Sequence, residues 1–503
     1  MAWLRVEGAV ALKQIVKRLR SLISPVSKRE RDDFRDLIVD AIGEVKRQHL
    51  RKSWRAGFRK GIQRTALQRK IVTQARKTTT KLRRRERIPF PRQIWLLRKF
   101  RPSPILDSVW PQRTSAWVDP AARIKSNDSA APAVELRNFS FLDHPRETLE
   151  SLRQIAIMEA QERSARIDFS DLTCADVSSY MILAEFWHEM LPVFNGGRME
   201  IHVQKVLVSV GLAQALGIRV EGIQNLDDVW AFPLMRRRAR GTSSSTDRYR
   251  DRQTREVVSD QFCDAMNLWL GRAEIGRQLN DEGRGWIKNI IGEILENAER
   301  HSDGERRDGS WSIAGFMTRD DNDEGERSFR CHLGFINLGD TFSRSLARGT
   351  PDTVQRIQSY VRRCHAQGCK LSSETLWTLC AIQDGITSVR DADLQDRGGY
   401  GLQEMLDMVS ILGHSTRAAW SPKVTILSGS SCIMVREPYT RGLRAAQDEP
   451  RTLWFNEENT ADLPPDERYV FDLNVRFPGS LISVQFVLDP EFLRGKSDGR
   501  DIA

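Results

Sequence analysis

Two hydrophobic periods run along this chain, and the switches between them outline its elements. A period near 3.6 residues predicts helices over Arg146–Ala165, Asp176–Leu191, Gln204–Leu216, Asp260–Leu270, Gly285–Ser302, Thr353–Arg363 and Glu374–Ile382, and one from Gly401 to Ile411. Short apolar runs predict strands at Val134–Leu142, Arg166–Phe169, Arg198–Val203, Trp311–Met317, Phe329–Asn337, Lys423–Leu427 and Ser431–Arg436, and a late one in the run S-V-Q-F-V-L after Ile482. Strands alternating with helices imply a multidomain α/β protein. In the helix over Gly285–Ser302, Ile291, Ile294, Leu295 and Ala298 make the apolar stripe. Glu293, Asn297 and His301 fall at i, i+4, i+8 and form a second, polar line.

Changes of texture divide the chain. Residues 1–100 read as a basic helical arm: Phe34, Leu37, Ile38, Ala41 and Ile42 form a stripe behind Asp32 and Asp33, and Trp54, Phe58 and Ile62 repeat at i+4. Residues 101–133, with Pro102, Pro104, Pro111, Pro120 and Pro132, read as a linker. A small α/β domain is expected over 134–220 and a basic flexible connector over 221–258, where R-R-R-A-R-G-T-S-S-S-T-D-R-Y-R-D-R lies. A larger α/β domain is expected over 259–490, with a tail over 491–503.

Charge sharpens this picture because it is unevenly spread. Of the 503 residues, those from 1 to 100 hold 29 Lys+Arg against 8 Asp+Glu, a net of +21, and the remainder carry −10. Glu86 is the single acid between 51 and 100. Such an arm suits nucleic-acid phosphates, an acidic protein or a membrane surface; a solvated helical surface is the plainer alternative. No helix-turn-helix or zinc-finger spacing points to base-specific readout. No apolar run approaches the roughly 18–20 residues of a membrane span, and the stretch Ala9–Leu12 is too short for a secretory signal. The 7 cysteines follow no disulfide or zinc spacing and fit free thiols in a reducing cytoplasm. Cys364, His365 and Cys369 lie close together, but no second ligand pair follows. A cytoplasmic protein is expected.

Candidate chemistry gathers in the larger domain. A carboxylate one turn before a carboxamide, as in Glu293 and Asn297, can take a proton from a water while the amide oxygen holds a hard cation such as Mg2+. Strand Phe329–Asn337 runs into Leu338-Gly339-Asp340-Thr341. Further on, Arg397-Gly398-Gly399-Tyr400-Gly401-Leu402 opens a helix. Glycines there let the backbone approach phosphate oxygens, and the helix start supplies free N–H groups. Phe477-Pro478-Gly479-Ser480-Leu481-Ile482 precedes the late strand.

In this order the motifs resemble those of the GHKL ATPase superfamily, the fold shared by gyrase, histidine kinases, MutL proteins and anti-sigma serine kinases. Glu293, Asn297, Ala298, His301 and Ser302 match its N-box, E-x-x-x-N-A with a following H-S. The resemblance implies an α/β sandwich, a mixed sheet with helices on one face, that binds ATP and Mg2+. It implies Glu293 as the base that orients the attacking water and Asn297 as a Mg2+ ligand. His301, Asn337, Gly339, Arg397, Gly398, Gly399, Gly401 and Leu402 would belong to the nucleotide site. The first glycine box, D-x-G-x-G in the family, departs here: Asn337 replaces its aspartate and Thr341 its second glycine. An amide oxygen still accepts from the adenine amino group, less selectively than a carboxylate. Thr387 and Ser388 resemble the element before the second box in anti-sigma-type ATPases, and the F-P-G-S segment resembles their end strand.

The domain over 134–220 is similar to STAS domains in its strand R-I-D-F-S-D-L, its helix start D-V-S-S-Y and its segment V-S-V-G-L-A-Q-A-L-G-I. The resemblance implies a protein partner and a phosphorylated serine in D-S-S-G context. Here Asp176-Val177-Ser178-Ser179 stands in that place without the glycine, and Ser178 alternatively bonds its own helix start. The leading expectation is a Mg-dependent ATP-hydrolysing switch acting on a protein or nucleic-acid partner. The alternatives are an anti-sigma-type serine/threonine kinase acting on a STAS-domain serine, and a non-enzymatic nucleic-acid-binding scaffold with a degenerate ATP site.

Overall fold

A computed structural model describes residues 100, 102–117, 133–160, 166–190, 197–216, 223, 226, 228–237, 254–273, 275–301, 309–321, 327–386, 401–415, 420–444, 449–490 and 493, and every structural statement concerns these. The basic region 1–99 and the tail 494–503 lie outside them. Ser103 caps α1 (Pro104–Val109), its hydroxyl accepting from the Leu106 N–H, and α2 (Arg113–Ala116) follows. β1 (Ala133–Leu136), α3 (Pro145–Ala160) and β2 (Arg166–Phe169) make a β–α–β unit with parallel strands. α4 (Val177–Met190), α5 (Ile201–Ser209) and α6 (Leu212–Ala215) complete an N-terminal layer. β3 (Val229–Arg237), α7 (Arg255–Arg272), α8 (Asp281–His301), β4 (Trp311–Asp321) and β5 (Arg327–Asn337) come next. α9 (Phe342–Leu346), α10 (Pro351–Ala366) and α11 (Ser373–Ala381) each begin at a hydroxyl cap, Thr341, Thr350 and Ser372. α12 (Gly401–Leu412), β6 (Lys423–Ser428), β7 (Ser431–Val435), β8 (Val470–Asp472) and β9 (Ser480–Leu488) close the chain.

Seven strands form one sheet in the order β3-β4-β5-β9-β6-β7-β8. Every pair in it is antiparallel, where a mixed sheet was expected. The reason lies in β9. β5 and β6 are joined through helices and run the same way, and β9 fills the slot between them in the opposite direction, so no parallel neighbours touch.

The sheet is covered on both faces, not one. Trp311, Ile313, Met317, Leu333, Phe335, Ile482, Val484 and Phe486 pack in the core with residues of α7, α8, α10, α11 and α12. The alternate positions Ala314, Phe316, Ile336, Leu427, Cys432, Phe471 and Leu481 are equally apolar and pack on the N-terminal layer. A bare second face would expose that whole row to water. α4 lies against β4, β5 and β9. At its foot, buried Asp176 accepts from the Ser178, Phe141 and Leu142 N–H groups and from the Ser483 hydroxyl on β9. Burial pushes its carboxyl above the usual carboxylate range, and these hydrogen bonds oppose the rise. Beside it, Thr425 on β6 and Arg436 donate to the Leu142 carbonyl.

Several sequence expectations change. Residues 102–117, within the expected linker, form α1 and α2 and bury Leu106 and Val109. Arg113 there is wholly buried and bonds Glu159 at 2.8 Å and Asp107 at 2.7 Å. Within the expected connector over 221–258, Val229–Arg237 is the edge strand β3. Its Arg236 approaches Glu185 at 3.5 Å and its Arg237 pairs with Glu299, so acids on α4 and α8 neutralise two arginines of the basic run. No strand forms over Arg198–Val203: Met199 makes one bridge to Phe169, and α5 starts at Ile201. Among the described residues no helix is long and apolar enough to cross a membrane.

Candidate functional site

Where β5 stops and β9 begins, the sheet ends against α8, α9 and α12, and a cavity of ≈ 130 Å³ opens between them. Its walls are mainly apolar, from Ile294, Ala298, Phe335, Phe342, Leu402 and Ile482, while Asn297, Asn337, Asp340, Thr341 and Ser480 supply polar groups. Such a mixture is typical of small-molecule sites.

Asn337 ends β5. Strand alternation puts it on the same face as Phe335, paired with Trp311 on β4 and Ser480 on β9. Its Oδ1 is buried and has no hydrogen-bond partner among the described residues. An unsatisfied buried acceptor costs about 1–3 kcal/mol, so this oxygen calls for a donor that the described residues do not supply, a water or a ligand group. Gly479 fixes the turn beside it. With φ of 125°, a Cβ at this glycine would lie 2.1 Å from the Asn337 carbonyl oxygen and 2.9 Å from the Gly339 nitrogen. The Pro478-Gly479 step is therefore packed directly on the Asn337-Leu338-Gly339 turn. Next in the turn, Asp340 pairs with Arg348 at 2.6 Å, and the Thr341 hydroxyl accepts from the Arg344 N–H as the cap of α9.

α8 brings the second set. Ile290, Ile291 and Leu295 are buried in the core, Asn297 stands exposed at the cavity rim and Glu293 is half-buried. Its far side is held by charge. Glu296 pairs with Arg255 and Arg300, and Glu299 pairs with Arg237 and accepts from the Trp311 indole N–H at 3.0 Å. The start of α12 completes the site. Gly401 and Leu402 line the cavity, and Gly401 abuts the Glu293 side chain. Buried polar bonds hold this start in place: the Gln403 side-chain amide donates to the Ile382 carbonyl at 2.6 Å, and Arg451 bridges Asp384, at 2.7 Å, and Asp407. Burial pushes the Asp384 carboxyl up, and the Arg451 guanidinium opposes that rise.

Of the residues singled out from sequence, Asn297, Asn337, Gly401 and Leu402 meet at one cavity, Glu293 lies behind Gly401, and Gly339 sits in the turn under Gly479. Arg397, Gly398, Gly399, Thr387, Ser388 and the His301 side chain lie outside the described residues. Asp340, Thr341, Ser345 and Ser480 join the lining without having been named as site residues. Ser480 was legible as the residue after the Pro478-Gly479 step. Among the described residues no three His, Cys, Asp or Glu side chains are arranged to hold a metal ion.

Ser178 lies elsewhere. It is fully buried on the opposite face of the sheet, where a Cβ added to Gly334 of β5 would come within 2.5 Å of its hydroxyl. No known protein family, curated protein or solved structure matches this chain.

Proposed function

We propose that the chain binds a purine nucleoside triphosphate, ATP in the first instance, with Mg2+, and uses it as a hydrolysable switch. The observation that carries this reading is the meeting, at one cavity, of Asn297 from α8, Asn337 from the end of β5 and Gly401 from the start of α12. Segments far apart in sequence converge there on apolar walls with polar groups at the rim, which supports a site for a ligand with a flat ring and a polar tail. The apolar walls suit a flat ring, and the unpaired Asn337 oxygen offers that ring an acceptor. The exposed Asn297 amide at the rim suits a Mg2+ ion that arrives with phosphates and keeps several waters, which needs no carboxylate cage. Bound Mg2+ would supply charge neutralisation at the phosphates. Glu293, packed against Gly401 of the cavity wall, is the carboxylate placed to orient a water.

Thermal denaturation with Mg-ATP, paired with phosphate release, tests the reading. Mg-ATP should raise the melting temperature, Glu293→Ala should keep that shift and lose turnover, and Asn297→Ala should lose the Mg-dependent part of the shift. Absence of any shift with saturating Mg-ATP would sink it.

The charge of residues 1–100, +21, favours a second, compatible role as an arm that docks on nucleic acid. Binding of the full chain to duplex or single-stranded nucleic acid should weaken steeply with salt and vanish when residues 1–100 are deleted. As for kinase activity on the chain's own STAS-like serine, the burial of Ser178 stands against it.

A further inference from the structure

We infer that Glu374 is a positioning residue for the cavity: with Arg476 it latches α9 to the step that leads into β9, and the cavity keeps its shape only while that latch is closed. The inference rests on the nucleotide reading above only in taking Mg-ATP as its probe. α9 and its cap supply Thr341, Phe342, Ser345 and Leu346 to the lining, and the start of β9 supplies Ser480. α9 is 5 residues long, too short to hold its place by its own hydrogen bonds. Two hydrogen bonds tie its start to neighbouring elements. The Phe342 N–H donates to the Ser428 hydroxyl at the end of β6 at 2.8 Å, and the Ser343 hydroxyl donates to Glu374 Oε1 at 3.4 Å.

Glu374, in the first turn of α11, also accepts from both Nη groups of Arg476, Nη1 on Oε2 and Nη2 on Oε1, each at 2.8 Å. A two-pronged pair fixes direction as well as distance. Arg476 donates in addition to the Ser430 hydroxyl at 3.3 Å, and the chain runs from it through Phe477-Pro478 to Gly479, which is packed on the Asn337-Leu338-Gly339 turn. The β6–β7 turn presses on the same pair. Gly429 has φ of 61°, and a Cβ there would stand 2.2 Å from Glu374 Oε1 and 2.9 Å from Arg476 Nη2. One carboxylate thus joins α9, α11, the β6–β7 turn and the step into β9. The Arg476 side chain is 37% exposed and that of Glu374 21%, so water screens the pair and its loss costs the global fold little. The effect falls on α9, whose local opening is separate from global unfolding.

Hydrogen exchange of the full chain, read by mass spectrometry, and equilibrium binding of Mg-ATP test this on Glu374→Ala and Glu374→Gln. In Glu374→Ala the amides of residues 341–349 should exchange at least about tenfold faster than in wild type, those of β4 and β5 should keep their rates, and Mg-ATP should bind at least about tenfold more weakly. Glu374→Gln keeps an acceptor for Arg476 and should recover part of both losses. Unchanged exchange over 341–349 overturns the inference. So does faster exchange that β4 and β5 share, which is a fold loosened throughout, and so does loosening confined to 341–349 with the Mg-ATP affinity of the wild type. If the wild-type chain binds no Mg-ATP, the nucleotide reading falls and exchange alone decides: loosening confined to 341–349 supports the latch, and its absence overturns it. Should Glu374→Ala fail to melt cooperatively, Arg476→Met takes its place with the same expected results, since it breaks the pair from the β9 side and leaves α11 intact.

Discussion

A Cβ on Gly401 would stand 2.8 Å from the Cβ of Glu293, nearer than such atoms approach in folded proteins. The first residue of α12 and the middle of α8 are thus in backbone-to-side-chain contact, and only glycine leaves room for it. Gly401→Ala should push Glu293 or the α12 start aside and weaken Mg-ATP binding at least about tenfold, or about 1.4 kcal/mol. Titration calorimetry on the full chain would measure this, and unchanged affinity would refute the packing argument.

Buried charge predicts a second effect, in the N-terminal layer. Arg113→Met should destabilise the protein by about 3–5 kcal/mol, because Glu159 stays buried without its guanidinium partner. Arg113→Met combined with Glu159→Leu should recover much of that loss. Chemical denaturation of the single and double variants gives the comparison, and a double variant no better than the single would contradict it.

The joint between layers predicts a third. Ser483→Ala removes the hydroxyl that β9 donates to Asp176 and should cost about 1–3 kcal/mol. Asp176→Ala strips the acceptor from three backbone N–H groups as well and should cost more. Labelled ATP should leave no phosphate on Ser178 of the folded chain. Mass spectrometry showing Ser178 phosphorylated at high occupancy would mean that the layers separate.

His332 predicts a pH dependence. It is buried on β5 facing the N-terminal layer and stacked on Phe316 at 4.6 Å. Burial, with Arg330 and Lys423 nearby, pulls its pKa from 6.5 down to about 3. Between those values the unfolded chain takes up a proton that the folded chain refuses, so stability falls as pH drops through the window. The slope is at most about 1.4 kcal/mol per pH unit for this one group. His332→Phe should flatten the loss of melting temperature between pH 7 and pH 5 relative to wild type, and equal slopes would count against the assignment.

Sequence periodicity located most helices and sheet strands because their burial patterns are strong: β4 and β5 are long apolar runs, and Arg166–Phe169 matches β2 residue for residue. It missed β3 because Pro233 and the arginines Arg236 and Arg237 mimic a loop, and their acidic partners Glu185 and Glu299 sit on distant helices. Pro104 read as a linker signal, yet it occupies the first turn of α1, where proline costs nothing. Helices were expected on one face only; the near-continuous apolar stretches W-S-I-A-G-F-M of β4 and C-H-L-G-F-I of β5 are what a sheet covered on both faces needs, and the segment that covers the second face could not be read from spacing. In the site, Asn297 and Gly401 were legible from local pattern. The orphaned Asn337 oxygen was not, since it depends on what the fold withholds from that atom.

β9 lies at the centre of the sheet and is the last strand among the described residues. Before residues 480–488 emerge during synthesis, β3-β4-β5 and β6-β7-β8 are two separate ribbons, each with an open edge of unpaired backbone. The cavity has no floor at that stage, because Ser480 and Ile482 are part of it. A nascent chain cut short of Ser480 is then a pair of exposed edges that invite association with other chains, not a smaller version of the protein. The cavity itself is complete only when β9 has zipped the two ribbons together, so the ligand binding proposed for it would report a finished sheet.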